Sequence, residues 1–304
     1  MAQLKQYAKA HVLFFALFET LMQGMSKKSL EIVRLAVDNR IYRRLKKKNR
    51  KFIASYVQAH ENDKLEKRHD KTIWIAWFQG MEQAPHVVKK CYESICRTFP
   101  ERKVVVLTKD NVSDYVTMPA YIMEKYEKGI ITQTHFSDLL RLELLSTYGG
   151  TWMDATVFCS GGEVPSYMMD SDLFMFQMLK PGLDGHCKSV SSWFITASSD
   201  SKIVRMTRDL LYHYWEKKNH MVDYFLIHHF FQMAIEAYPQ EWKKVVPFSN
   251  SVPHILLLRM FDEYDEEMYK AITDMTKIHK LSYKHENSGD GAKETYYSRL
   301  FDER

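Results

Sequence analysis

Three charged residues near the middle of the sequence have the types and spacing of a ligand-binding site. Asp138 and Arg141 lie three residues apart in a stretch with helical apolar spacing, so both side chains project from one face of the predicted helix. Asp154 follows a short apolar stretch beyond Gly149 and Gly150. An arginine can bind phosphate or sugar hydroxyl groups, and a carboxylate can hold a hard divalent cation. Together these residues predict a site for a nucleotide diphosphate.

A helix, a glycine stop and a short strand are predicted to position these groups. Thr134 or Ser137 can cap the start of the helix, and the two glycines supply the left-handed turn that ends it. Trp152 and Met153 then form a strand that places Asp154 at its carboxyl end, where open α/β sheets bind ligands. A surface ion pair on the helix and a simple turn after the strand are the alternative interpretations.

The surrounding pattern indicates an α/β fold with a mostly parallel central sheet flanked by helices. Residues 73–78 and 104–107 are apolar runs of strand length, and the segment between them, 86–99, has helical spacing. Such a βαβ unit predicts parallel strands covered on both faces. Further strands are predicted within 172–179, 192–197 and 278–284, a loop at 181–185, helices within 119–128, 201–217 and 222–238 (the last capped near Asp223), and either state at 255–260.

The amino-terminal region differs from the rest of the chain in charge. The 304 residues carry a formal net charge of +5, but residues 1–70 alone carry +9 and the remainder −4. Eight of the twelve residues in 40–51 are basic, on a predicted amphipathic helix that Ser29 can cap. Such a basic run can bind an anionic membrane or a nucleic acid, or it can simply be a solvated helix face. The apolar run at residues 12–18 fits a core helix, an interfacial helix or a partner-binding helix.

These observations divide the chain into three predicted parts. Residues 1–70 form a basic helical extension, residues 71–285 the α/β domain, and residues 286–304 a polar tail that is either a loop or loosely packed. Four cysteines without ligand spacing favour reduced thiols, and no stretch has the roughly 20 apolar residues of a membrane span. GxGxxG, GxxxxGK[ST], GxSxG and HExxH are all absent, which removes the main support for dinucleotide-binding, P-loop, serine hydrolase and zinc protease classes.

The central block resembles a known family of sugar transferases. Three motifs carry the resemblance: SDLLR at 137–141, YGG at 148–150 and TWMDAT at 151–156. They resemble the signature of the DXD-motif transferases and, within that group, of the bacterial capsular polysaccharide synthesis proteins (glycosyltransferase family 32-like). IWIAWFQG at 73–80 resembles the first strand of that family. The resemblance covers about residues 70–285, and it implies a GT-A-type fold, a nucleotide-sugar donor and retention of anomeric configuration.

The resemblance also implies roles for individual residues. Asp138 and Arg141 would bind the donor sugar, and Asp154 would be the first acid of the DXD motif, holding Mn²⁺ or Mg²⁺. The remaining residues implied to bind substrate are Trp77 under the base, Gln79 and Gly80 in the nucleotide pocket, Gly150, Thr156, Lys280 and Lys284, and His279 is a candidate second metal ligand. Thr156 stands where the motif has its second acid, so metal affinity is expected to fall, or cationic side chains to share the neutralisation.

A hexosyltransferase is therefore the leading hypothesis for function. We expect it to move a hexosyl group, from UDP by family habit, to a growing and lipid-linked capsular or exopolysaccharide glycan. The basic extension would hold the enzyme at the inner face of the cell membrane, as a cytoplasmic, peripheral protein that binds no nucleic acid. The alternative is an inactive nucleotide-sugar-binding or scaffold protein of polysaccharide assembly. No covalent nucleophile stands out, which favours a front-face reaction but leaves the route open.

Overall fold

The computed structural model describes residues 2–63, 66–179, 187–284 and 294–301. Its helices are α1 (Ala2–Lys9), α2 (Leu13–Gln23), α3 (Lys27–Ala59), α4 (His86–Thr98), α5 (Val112–Tyr115), α6 (Ala120–Glu127), α7 (Gln133–Thr147), α8 (Ser166–Met169), α9 (Lys202–Lys217), α10 (Leu226–Ala237), α11 (Pro239–Trp242), α12 (Ile255–Arg259), α13 (Glu266–Met275) and α14 (Tyr296–Phe301). Its strands are β1 (Ile73–Ala76), β2 (Val104–Leu107), β3 (Gly150–Met153), β4 (Val157–Cys159), β5 (Leu173–Gln177), β6 (Val190–Ala197) and β7 (Ile278–Lys280), and short 3₁₀ turns lie at Met81–Gln83 and Val252–His254.

A five-stranded sheet in the order β2-β1-β3-β6-β5 forms the centre of the fold. β1 pairs in parallel with β2 and with β3, whereas β6 is antiparallel to β3 and to β5. Four of these five strands therefore run in one direction, which confirms the predicted α/β class and the mostly parallel sheet. β4 and β7 form a separate antiparallel pair.

The chain leaves β1 for β2 on one side and returns to β3 on the other side. This reversal of strand order makes a topological switch point at the carboxyl ends of β1 and β3, where sheets of this kind bind ligands. Both faces of the sheet are covered by apolar side chains; Trp152 and Leu139 belong to the cluster on one face, and Ile75 and Met153 to that on the other. The switch point is therefore a fixed edge of a rigid core.

The two glycines after α7 require the backbone that the sequence predicts for them. Gly149 and Gly150 have φ values of +73° and +98°, in the left-handed region. A Cβ atom would lie 2.7 Å from the Arg68 carbonyl oxygen at Gly149, and 2.5 Å from the Thr72 carbonyl oxygen at Gly150. Any side chain at either position would displace β3 and the residue that follows it.

Three predicted helix caps are wrong by a few residues. Thr132, and not Thr134 or Ser137, caps α7, because the helix begins one turn earlier and the Thr132 hydroxyl accepts a hydrogen bond from the His135 amide at 3.3 Å. Ser26 caps α3 in the same way, so Ser29 lies within that helix. Asp223 precedes α10 by three residues and accepts a hydrogen bond from the Phe225 amide.

The amino-terminal helices pack onto the sheet domain. Tyr42 and Tyr56 of α3 donate hydrogen bonds to Glu236 of α10 at 2.6 Å and to Asp209 of α9 at 2.8 Å. The division at residues 70 and 285 stays a prediction. In the described part of the chain, every helix is too short or too polar to cross a bilayer.

The carboxyl-terminal segment differs from its prediction where the structure describes it. Tyr296 and Phe301 of α14 are buried in a cluster with Val87 and Cys91 of α4, so residues 294–301 are not a loosely packed tail. Apolar residues within a polar segment explain the difference. Residues 285–293 and 302–304, like the predicted loop at 181–185, lie outside the described residues.

Candidate active site

A cleft of about 430 Å³ opens at the switch point, between the carboxyl ends of β1 and β3, the start of α7 and the segment after β7. Seven of the predicted site residues line it: Trp77, Gln79, Arg141, Asp154, Thr156, Lys280 and Lys284. The edge of the sheet thus brings together residues that are up to about 200 positions apart in the chain. Their predicted roles stay predictions, and the geometry below gives their surroundings.

Arg141 is the most constrained cation of the cleft. Its guanidinium lies 3.1 Å from Asp138 Oδ1 and 3.6 Å from Asp154 Oδ1, and it donates to the Ser192 carbonyl oxygen. The Cζ atom lies 4.8 Å from the centre of the Trp152 ring, a cation–π distance. Only 5% of the Arg141 side chain is exposed, so its charge is fixed in direction and points into the cleft.

Asp138 lies behind Arg141 and not on the cleft wall. Its second oxygen lies 3.2 Å from His135 Nδ1, while the indole of Trp215 donates to His135 Nε2 at 2.8 Å. Because an indole nitrogen only donates, the His135 proton must be on Nδ1, and His135 donates to Asp138. Burial, the largest influence, raises the pKa of Asp138, but the Arg141 charge and the His135 hydrogen bond together hold it below its usual value. Asp138 is therefore an ionised carboxylate that positions Arg141.

The β4–β7 pair brings Lys280 to the other side of Asp154. Val157 is opposite Lys280 in this ladder, and the Leu281 amide donates to the Thr156 carbonyl oxygen at 2.9 Å. Lys280 Nζ donates to the Thr156 hydroxyl at 2.5 Å and lies 3.7 Å from Asp154 Oδ2. The position of the missing second acid is thus hydrogen-bonded to a lysine ammonium group.

Aromatic side chains form the wall next to β1. Trp77 contacts Tyr283 edge to face, with ring centres 5.5 Å apart, and Tyr224 lines the cleft from the segment between α9 and α10. The buried Trp77 indole nitrogen has no hydrogen-bond partner among the described residues. A buried donor on a cleft wall favours an acceptor supplied by a ligand.

Besides Asp138, three of the predicted site residues do not line the cleft. Gly80 lies beyond its rim with φ +82°, where no described atom approaches its Cβ position, and Gly150 is packed inside the sheet. His279 points away from Lys280, because successive strand residues face opposite ways. Its Nε2 atom lies 3.2 Å from the Ser160 hydroxyl, and burial lowers its pKa to about 4. The structure therefore does not bring His279 to Asp154.

The described residues fit a divalent ion poorly. No group of three or more His, Cys, Asp or Glu side chains among them has the arrangement of a metal site. Asp154 is the one carboxylate among the cleft-lining residues, and its oxygens already face Arg141, Lys280 and the Trp152 indole, which donates at 3.0 Å. Two cations near the carboxylate oppose the binding of a third by charge repulsion.

Several residues in or behind the cleft could not be identified from the sequence pattern. His135 stands one turn before Asp138 on α7, which is a spacing that marks it as a possible partner only once Asp138 is known to face inward. Ser137 and Tyr283 are neighbours of predicted residues, so proximity was the available signal. Tyr224 lies on a loop without a motif, and nothing in its sequence surroundings points to the cleft.

Comparisons with known proteins identify the family and the enzyme class of this chain, and the roles of the individual site residues stay predictions. The family model described as capsular polysaccharide synthesis protein matches residues 22–300. The O-glycosyltransferase braB of Annulohypoxylon truncatum is 33% identical over 107 aligned positions, and the match covers 31% of this chain and 25% of that protein. Among solved structures, the PaToxG glycosyltransferase matches 66% of this chain and 80% of its own, with 13% identity and a TM-score of 0.40.

The match to the curated relative spans a quarter of that protein, and the family model spans nearly the whole of this chain. Both agree with the enzyme class expected from the sequence, a glycosyltransferase. The resemblance stated from the central motifs is confirmed at the level of the family: the chain belongs to the capsular polysaccharide synthesis protein family.

Proposed function

We propose that this protein transfers a hexosyl group from a nucleotide diphosphate sugar to a growing polysaccharide. The observation that carries the proposal is the charge of the cleft, which presents Arg141, Lys280 and Lys284 around a single carboxylate, Asp154. A diphosphate needs positive charge, most of all when it leaves with the electrons of the broken glycosidic bond. The three cations lie where α/β sheets bind such ligands.

Arg141 and Lys280 would neutralise the diphosphate. Both lie within 4 Å of Asp154, on opposite oxygens of that carboxylate, so they flank one point of the cleft floor. Asp154 holds the two cations in place and offers an acceptor to a ribose or sugar hydroxyl group. The Mn²⁺ or Mg²⁺ ion predicted from the sequence remains an alternative source of positive charge, and the experiment below distinguishes the two.

The nucleoside would lie against the aromatic wall. Trp77 and Tyr283 can contact a base face to face or edge to face. The indole N–H of Trp77, which has no partner among the described residues, can donate to an acceptor on the ligand. Gln79, on the same segment after β1, can hydrogen-bond the base edge. The family resemblance suggests UDP as the nucleotide and a GT-A-type fold for the domain.

The reaction would run on one face of the sugar. The C1–O bond to the diphosphate breaks and the electron pair leaves with the diphosphate, an acceptor hydroxyl oxygen bonds to C1, and its proton passes to a diphosphate oxygen. This front-face route gives retention and requires no protein nucleophile. The buried Asp138 would serve it indirectly, by fixing the guanidinium of Arg141.

A nucleotide-sugar-binding scaffold is the second candidate function. Thr156 supports it, because a hydroxyl replaces the second motif acid and is already hydrogen-bonded to Lys280. The acceptor of the leading proposal, a lipid-linked capsular or exopolysaccharide glycan, follows from the family and would act at a membrane surface.

Donor binding and donor turnover test the two candidates separately. We expect one member of a nucleotide-sugar panel to raise the melting temperature by mass action, with or without Mn²⁺. The same donor should release nucleotide diphosphate slowly in water, and Asp154→Asn should abolish release while the protein stays folded. Stabilisation without release from any donor, in the presence of acceptor extract, would favour the scaffold; loss of release in a chelator would favour the metal ion.

A further inference from the structure

A second cationic site, which shares no lining residue with the cleft, lies where α1 and α3 meet the end of α9. We call it the basic pocket: a cavity of about 270 Å³ lined by Lys9, Arg44, Lys48, Lys217 and Lys218. His11, His213 and His220 also line it, and no Asp or Glu is among its lining residues. The volume is several times the roughly 30 Å³ of a water molecule in the liquid, which is enough for a phosphate or diphosphate.

The five cations of the basic pocket are not neutralised by ion pairs within the described residues. None of them forms an ion pair with a carboxylate in the described part of the chain, whereas Lys46 on the same helix pairs with Glu236. Burial is the largest cause that lowers the pKa of Lys48, and Lys218 and Arg44 lower it further. Burial followed by Lys218 and Lys9 lowers the pKa of His220 likewise. Positive groups held together without an anion destabilise the fold, unless a ligand supplies the negative charge.

The walls of the basic pocket are held by specific hydrogen bonds. Arg44 Nη1 donates at 2.8 Å to the carbonyl oxygen of His11, whose φ of +55° is the one left-handed value outside glycine among the described residues. Across the pocket, the Tyr214 hydroxyl donates to the His220 carbonyl oxygen at 2.7 Å, and Lys125 donates to that of Lys218 at 2.9 Å. The pocket is therefore a built feature of two separate chain regions.

Exposed apolar side chains stand next to the basic pocket. Helix α2 begins two residues after His11, and its residues Phe14, Phe18 and Leu21 are 87%, 59% and 82% exposed. Phe14 is three residues from His11, hence within about 11 Å along the chain. Exposed aromatic residues beside lysines and arginines are typical of helices that lie in the interface of a bilayer. A nucleic acid would leave these side chains in water.

We propose that the basic pocket binds the phosphate head group of an anionic lipid while α2 inserts its apolar face into the same bilayer. This proposal concerns a site separate from the cleft and does not rest on the transferase activity. The proposal also places Lys217, Lys218 and His220, from the end of α9 and the loop after it, at the membrane surface. These residues are about 170 positions from the basic run of residues 40–51.

A matched pair of double variants of the full chain tests the proposal. Arg44→Gln/Lys48→Gln removes an arginine and a lysine from the pocket; Arg43→Gln/Lys47→Gln removes the same residues, at the same spacing, from outside it. Partitioning into vesicles of phosphatidylcholine with phosphatidylglycerol should fall roughly ten-fold or more for the pocket pair, and no more than about two-fold for the control pair, because dispersed surface charges are screened.

Further arms decide between ligand sources. Phe14→Ser/Phe18→Ser should reduce vesicle binding most at high salt, and pure phosphatidylcholine vesicles should bind weakly. If the pocket variant does not fold by circular dichroism, Lys48→Gln against Lys47→Gln replaces the pair. Equal losses for both pairs would overturn the pocket. Inorganic pyrophosphate could instead stabilise the protein, or RNA could be retained, through the pocket residues while vesicles fail to bind. Either result would show that the ligand of the basic pocket is not a lipid.

Discussion

The cleft and the basic pocket hold similar cations in opposite ways. In the cleft, Arg141 has Asp138 at 3.1 Å and Asp154 at 3.6 Å, and Lys280 has Asp154 at 3.7 Å. In the basic pocket, Arg44 is held by a carbonyl oxygen, and the lysines have no carboxylate partner in the described part of the chain. One site is organised around negative charge of its own and the other lacks it.

This difference separates preorganisation from attraction. A carboxylate network fixes the direction of a guanidinium before substrate arrives, which is what stabilisation of a developing charge requires. Uncompensated lysines attract an anion more strongly but fix its position less well. The comparison leads to opposite expectations for the two sites: removal of a charged group should destabilise the protein at the cleft and stabilise it at the basic pocket.

The largest effect is expected for Arg141→Lys. A lysine keeps the charge but cannot contact Asp138, Asp154 and a phosphate together, so kcat/KM for donor hydrolysis should fall roughly 100-fold or more. Arg208→Lys is the control, since Arg208 is also ion-paired, at 2.8 Å to Asp209, and only 17% exposed, but lies on α9. Equal losses for the two variants would mean that Arg141 acts through stability alone.

Lys280→Gln is expected to lower turnover by roughly 10- to 100-fold, because the diphosphate would lose one of its two central counter-charges. The control is Lys277→Gln on the same segment, whose ammonium group faces Asp274 outside the cleft. Hydrolysis by the wild type should persist in excess chelator. A wild type that is inactive in chelator, with Lys280→Gln unaffected in Mn²⁺, would assign the neutralisation to the metal ion.

Asp138→Asn should reduce the free energy of unfolding by about 3 kcal/mol at pH 7, because it removes one partner of a buried ion pair. The folded pKa of Asp138 is depressed, so its contribution is present above the unfolded value of about 3.9 and is lost as pH falls through the folded value. Urea denaturation should therefore show the gap between variant and wild type narrowing below about pH 4. Asp170→Asn removes a half-exposed carboxylate and leaves Arg102 with Glu101 at 3.4 Å, so it should cost less than about 1 kcal/mol.

The sequence allows prediction of those elements that depend only on neighbouring residues in the chain. β1 and β2 are apolar runs bounded by polar residues, and the left-handed turn at Gly149 needs only the glycines. The three-residue strand β4 was missed, because a run of this length carries no periodicity and forms only when β7 pairs with it.

The missed parts of the two sites depend on contacts between distant residues. The sugar-binding role of Asp138 stays a prediction, but its contact with His135 and the hydrogen bond from Trp215 to His135 are not visible in the sequence, because Trp215 is 77 positions away from Asp138. The basic run of residues 40–51 was visible in the sequence; the second wall of the basic pocket, from Lys217 to His220, was not. A charge pattern along one helix identifies a surface, and only packing shows which of its residues share a cavity.

The smallest expected effect is the sharpest test of the comparison. Arg44 and Lys48 are like charges four residues apart on α3, an arrangement that destabilises a helix by about 0.2–0.5 kcal/mol. Lys48→Gln should therefore raise the free energy of unfolding by about 0.3 kcal/mol at low salt, and the gain should vanish in high salt as the repulsion is screened. Lys46→Gln, which breaks the pair with Glu236, should change stability in the opposite direction. A loss of stability for Lys48→Gln, independent of salt, would show that the basic pocket is stabilised by its lysines and needs no anion.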